Sequence, residues 1–96
     1  MSARLGARRP IVIANWKMYL GAPESLRTAR AIRVLLRRLG RSVDVVLCPS
    51  FPLLAGVRDV LGGSRLQLGA QDLHAERSGP YTGDVSAAHL RCLVRF

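Results

Sequence analysis

The residues best suited to chemistry are an amide and an ammonium two positions apart: Asn15 and Lys17, in the stretch IVIANWKMYL at residues 11–20. The sequence holds 15 lysines and arginines, and Lys17 is its single lysine. Arginine supplies every other fixed positive charge, so position 17 reads as one that calls for a compact point charge rather than a planar fork. An ammonium at the end of an apolar strand suits recognition of an anion, or of negative charge that grows on oxygen during a reaction. Along an extended stretch, residues two apart point to the same side. Both side chains are therefore expected to line one pocket, with Trp16 turned into the packing. On spacing alone, a surface lysine and a turn asparagine are the plainer alternative.

No other constellation competes. His74 falls in a polar stretch and His89 in a helical one, and both read as solvated or packing histidines. Cys48 and Cys92 have no metal-ligand spacing to a histidine or to each other, so neither a metal site nor a disulfide framework is expected. With no secretory signal in view, both thiols read as reduced and the chain as cytoplasmic. No cofactor motif appears. The net charge of +9 raises the question of nucleic acid. The arginines fall at helical spacing, however, and aromatics make up only 5% of the chain, too few to interleave as base-stacking platforms. Solvated helix faces account for the charge, and no nucleic acid partner is expected. No apolar run approaches the roughly 20 residues of a membrane span.

The elements that must hold Asn15 and Lys17 follow from periodicity. Residues 1–9 read as a disordered basic extension and residues 10–96 as one partial domain. Residues 11–15 read as a buried strand. Residues 22–40 form a helix, with Pro23 and Glu24 at its start and Gly40 at its stop. Leu26, Ala29, Ile32, Leu35, Leu36 and Leu39 share one face of it. VDVVLCP (43–49) is a second strand, 51–63 a second helix and 65–71 a third strand. A polar loop spans 72–84, a third helix capped by Ser86 spans 85–93, and 94–96 opens a fourth strand. Continuously apolar strands alternating with helices indicate α/β architecture with right-handed crossovers and a parallel sheet. The first strand is followed by NWKMYLG, with a single glycine, which disfavours a dinucleotide-binding fold.

Three segments resemble triosephosphate isomerase: ANWKMYL, VVLCPSFPLL and LGAQDLHAERSGPYTGDVSA, in the family's order and at its spacing. The resemblance covers residues 10–96. It implies the N-terminal portion of a TIM (β/α)8 barrel, namely three βα units and the start of the fourth strand. A whole barrel takes about 250 residues. The implied activity is interconversion of dihydroxyacetone phosphate and D-glyceraldehyde 3-phosphate, an intramolecular isomerisation of glycolysis and gluconeogenesis, with a triose phosphate as substrate. The resemblance makes Asn15 and Lys17 substrate-contacting residues and Lys17 the electrostatic catalyst. The family's catalytic histidine and glutamate would follow Phe96 and are not among these residues. Tyr81, Thr82 and Gly83 match the tip of a loop that reaches into the neighbouring subunit of the family's homodimer. Asp84 stands where the family usually carries glutamate, shortening the carboxylate by one methylene. Without a partner, the loop reads as an ordinary mobile one.

Three strands and a stub cannot close a barrel. They leave an open sheet edge and an uncovered apolar face, so the chain alone is expected to be marginal or molten and inactive. A split-enzyme fragment and a half-barrel interaction module are the alternatives.

Overall fold

The computed structural model describes residues 8–96. Three strands, β1 (Ile11–Asn15), β2 (Asp44–Cys48) and β3 (Gln67–Leu68), form one sheet in the order β1-β2-β3. Both pairings are parallel, with Ile13 opposite Val46 and Leu47 opposite Leu68. Helix α1 (Ala22–Leu36) connects β1 to β2. A 3₁₀ turn (Phe51–Leu53) and α2 (Leu54–Leu61) connect β2 to β3, and the short α3 (Ala87–Leu90) follows. Residues 94–96 are not a regular strand, yet they lie along β3. The Phe96 N–H donates to the Leu68 carbonyl, and the Ala70 N–H donates to the Phe96 carbonyl. The expected strand–helix alternation and its parallel pairing are present; in place of the expected opening of a fourth strand, residues 94–96 only hydrogen-bond along β3.

The core lies between one face of the sheet and the helices. Leu47, Leu66 and Leu68 meet Ala29 and Leu36 of α1, Leu54, Val57 and Leu61 of α2, and Leu90 of α3. Alternation sends Val46 and Cys48 to the opposite face. Gly69 shares that face, because a Cβ there would sit 2.9 Å from Cys48 Sγ and 3.0 Å from Val46 Cγ1. Only a residue without a side chain lets β3 pass so close to β2.

Several expected boundaries move. Helix α1 stops at Leu36 rather than Gly40, and Leu35 and Leu39 are exposed instead of facing the core. Leu36 is the last residue that reaches the sheet, and the chain then turns through residues 37–43 to enter β2. The third strand shrinks from 65–71 to two residues, although Gly69 still donates to the Leu47 carbonyl. The third helix contracts to four residues, and Ser86 caps it as expected, its Oγ accepting from the His89 N–H. The expected extension, residues 1–9, lies mostly outside the described residues; Arg9, at its end, forms an ion pair with Asp44 at 3.1 Å.

β1 is the open edge. Ile11, Val12 and Ile13 are 47%, 53% and 58% exposed, so β1 is not the buried strand its apolar run suggests: it lies at the sheet edge, where neither face is covered. The radius of gyration is 15.1 Å, against about 12.5 Å for a compact domain of this length. The molecule is an open layer rather than a closed globule.

An unpaired apolar strand templates association. Replacing Ile13 with lysine should therefore shift the chain toward monomer in sedimentation velocity, with little change in helix content by circular dichroism. Unchanged association would place the adhesive surface elsewhere. The two thiols give a second check. Burial pushes the Cys48 thiol pKa up, whereas Cys92 is exposed. Cys92 should react with a maleimide at least tenfold faster than Cys48 near pH 8, because the thiolate is the reacting form. Equal rates would mean that the sheet opens freely.

Candidate functional site

The C-terminal ends of the three strands converge on one turn. Lys17 is the only non-glycine residue with a positive φ among the described residues, at 53°. That left-handed conformation costs an ordinary residue about 1–2 kcal/mol, and lysine has no short polar side chain to offset it locally. Neighbouring groups must hold it.

Two side chains do so. Asn15 Oδ1 accepts a hydrogen bond from the Lys17 backbone N–H at 2.8 Å. Gln71, three residues beyond β3, donates from Nε2 to the Lys17 carbonyl and to the Cys48 carbonyl, each at 2.8 Å. The Cys48 carbonyl also accepts from the Trp16 N–H at 3.1 Å. One glutamine amide thus ties the ends of all three strands together. Trp16 packs against the core, as expected.

The expected reason for bringing Asn15 and Lys17 together needs correcting. The chain is not extended at position 17, so period-two alternation does not place the two side chains. An asparagine-to-backbone hydrogen bond across a tight turn does. Gln71 was given no role in the sequence reading. Its only signal was its place in the LGAQD stretch, and its function depends on a contact 54 residues away.

The site is open and positive. Asn15 and Lys17 are both exposed, and the Lys17 ammonium has no ion-pair partner among the described residues. Met18 and Tyr19 project beside it, 94% and 84% exposed. A free ammonium on a rigid backbone can meet an anionic group without first breaking a salt bridge. Among the described residues, no cluster of three histidine, cysteine or acidic side chains could hold a metal.

The 72–84 loop makes several contacts within itself. The His74 ring stacks on Tyr81 with centroids 4.1 Å apart, and His74 Nδ1 accepts from the Glu76 N–H at 3.0 Å. His74 is thus a packing residue. The His74 N–H donates to the Val85 carbonyl at 2.7 Å, closing the base of the loop. Gly79 has φ of 144°, and a Cβ there would lie 2.6 Å from the Tyr81 ring. The ring can fold back only over a glycine. Thr82, Gly83 and Asp84 stand exposed at the tip.

Comparison with known proteins follows this geometry closely. The family model described as triosephosphate isomerase matches residues 10–93. Triosephosphate isomerase of Carboxydothermus hydrogenoformans is 42% identical over 84 residues, covering 88% of this chain and 33% of that protein. The enzyme of Gluconacetobacter diazotrophicus is 46% identical over 83 residues, covering 85% and 33%. The crystal structure of triosephosphate isomerase from Bartonella henselae superimposes with a TM-score of 0.80 at 39% identity, covering 91% of this chain and 35% of that one. The chain spans about a third of the length of the relatives it matches.

Substitutions at the turn separate strain from charge. Lys17→Gly should be about 1 kcal/mol more stable than Lys17→Ala in urea unfolding, because glycine accepts the left-handed conformation without a Cβ penalty. Equal stabilities would mean that the turn relaxes. Gln71→Ala should cost about 1–2 kcal/mol. Gln71→Glu should cost more, because a carboxylate cannot donate to the two carbonyls; the reverse order would dismiss the clamp.

Proposed function

The chain belongs to the triosephosphate isomerase family, and from that premise we propose that it supplies the substrate-gripping part of a barrel that interconverts dihydroxyacetone phosphate and D-glyceraldehyde 3-phosphate. The observation that carries this reading is the strained Lys17, clamped by Asn15 and Gln71 at the C-terminal end of the sheet. Active sites of (β/α)8 barrels lie at that end.

The reaction moves a proton between adjacent carbons through an enediolate. In this family a glutamate is the base and a neutral histidine the electrophile. Neither role falls to a residue of this chain. Its own contribution is electrostatic. The substrate enters as a phosphate dianion, and further negative charge develops on the oxygens in the transition state. The Lys17 ammonium is placed to bind the first and stabilise the second. Asn15 positions the ammonium by fixing the backbone that carries it. The exposed loop tip, Tyr81, Thr82 and Gly83, is read as a contact with the partner subunit, where it would pack beside the partner's Lys17. The internal His74–Tyr81 stack supports that role, since a pre-ordered loop loses less entropy on docking.

The bare edge of β1 supports a second reading, in which the chain works as one piece of a split enzyme. Mixing tests both. The chain alone should show no isomerisation. Adding a polypeptide with the remaining two thirds of a relative should restore activity. In that assembly, Lys17→Met should lower kcat on the order of 10²-fold or more, the scale for losing one charge-stabilising donor. Enzymatic turnover by the chain alone would overturn the proposal. Silence at every mixing ratio would discard the split-enzyme reading, and a Lys17→Met assembly as fast as the wild type would remove Lys17 from the chemistry.

A further inference from the structure

The opposite end of the sheet carries a second concentration of positive charge, unrelated to Lys17. The turn after α1 and the turn after α2 meet there, below the starts of β2 and β3. Between them lies a cavity of about 490 Å³, whose walls include Arg33, Arg37, Arg41 and Arg65. This volume is within the range of small-molecule sites. No acidic residue lines it.

The four arginines are not equivalent. Arg33 and Arg65 are half-buried and anchored to backbone carbonyls. Arg33 Nη1 donates to the Val60 carbonyl at 2.7 Å, and Arg65 Nη1 donates to the Val43 carbonyl at 3.0 Å. Arg65 Nη2 also reaches the Leu36 carbonyl at 3.5 Å, and with five N–H donors each guanidinium still keeps some for the cavity. Arg33 Nη2 reaches the Gly63 turn, 3.5 Å from where a Cβ would stand. Arg37 and Arg41 are exposed, and neither forms an ion pair among the described residues. Two held forks and two free ones thus surround one space. Their mutual repulsion has no compensating carboxylate on the cavity wall.

We infer that this groove binds a short phosphate chain, either free oligophosphate or the tail of a nucleoside triphosphate. Guanidinium forks pair with phosphate oxygens in bidentate fashion. A single phosphate can satisfy only part of the set, whereas three linked phosphates present several oxygens to several forks at once. No aromatic side chain lines the cavity to receive a base. The phosphates therefore carry the affinity, and a nucleoside adds little. A nucleic acid strand, which needs stacking platforms or a continuous basic track, is the poorer fit. β2 is five residues long, so the groove lies roughly 16 Å from the Lys17 end of the sheet at ~3.3 Å per residue. The inference does not rest on the isomerase reading.

Titration calorimetry of the 96-residue chain in 150 mM salt tests it, with tripolyphosphate, ATP and AMP as probes. Tripolyphosphate and ATP should bind within about threefold of each other, and AMP at least tenfold more weakly. The exposed double variant Arg37→Gln/Arg41→Gln should lose tenfold or more in tripolyphosphate affinity. Arg27→Gln/Arg38→Gln removes the same charge away from the cavity and should change affinity less than threefold. Lys17→Met should leave it unchanged, which separates failure here from failure at the other end. Circular dichroism of each variant controls for folding. No heat with tripolyphosphate, equal losses in the two double variants, or AMP binding as tightly as ATP would each overturn the inference. So would displacement of tripolyphosphate by duplex DNA at lower phosphate concentration, since that marks plain charge.

Discussion

Everything at the C-terminal end of the sheet depends on a lysine held in a backbone conformation that lysine rarely adopts. A positive φ of 53° at Lys17 breaks the extended run of β1 just past its last residue. The backbone does not choose that state unaided. It is kept there by a chain of hydrogen bonds from Asn15, Gln71 and the Cys48 carbonyl, contributed by residues at the ends of β1, β2 and β3. The local strain is thus balanced by long-range contacts, which is the usual condition for strain to persist at a functional site. The consequence is preorganisation. An ammonium whose backbone is fixed needs little rearrangement when charge develops nearby, and this is what makes such a group useful in a transition state.

The clamp in turn needs the sheet. Gln71 can reach the Lys17 carbonyl only because β3 lies flat against β2. Gly69 permits that approach by leaving space for Cys48 Sγ and Val46 Cγ1. β2 is the centre of the arrangement. Val46 and Leu47 are almost wholly buried, one on each face, while both faces of β1 are open. The strand that leads into the Lys17 turn is therefore the least supported of the three. Its register is fixed from one side alone, by β2. A partner strand along its free edge would stiffen the turn that follows it.

How much of this could be read beforehand differs from residue to residue, for physical reasons. The span of β1 was legible to the residue from its apolar run, but not its exposure, because an apolar run reports what a strand could bury and not whether anything covers it. Lys17 stood out by being the lone lysine, and Ser86 as a cap because its oxygen has a local job to do. The end of α1 was misread because apolar spacing continues through Leu39 after the helix has run out of sheet to cover. Periodicity reports what a helix could bury and not what lies beneath it. The left-handed turn was invisible, since the usual markers of positive φ are glycine and asparagine, and the strained residue is neither. Gln71 could not be assigned, because its two acceptors come from segments 54 and 23 positions away. The His74–Tyr81 stack could not be foreseen either, because only the folded turn brings the two rings together.

The division of labour between the two kinds of cation follows from the direction of the helices. In a parallel βα layer every helix ends below the starts of the strands, so unpaired carbonyls and the negative ends of helix dipoles gather there. Arginine suits that end: a planar fork can bind a carbonyl with one edge and still present donors with the other, as Arg33 does at Val60 and Arg65 at Val43. A lysine there would satisfy the carbonyl as a point charge and leave little directional capacity. At the other end the free carbonyls of Lys17 and Cys48 are taken by the Gln71 amide. A single compact ammonium, held by its backbone rather than by its side chain, keeps its whole charge available for whatever approaches. The composition, with its one lysine among fourteen arginines, is what this polarity of the layer would select if the two ends serve different anions.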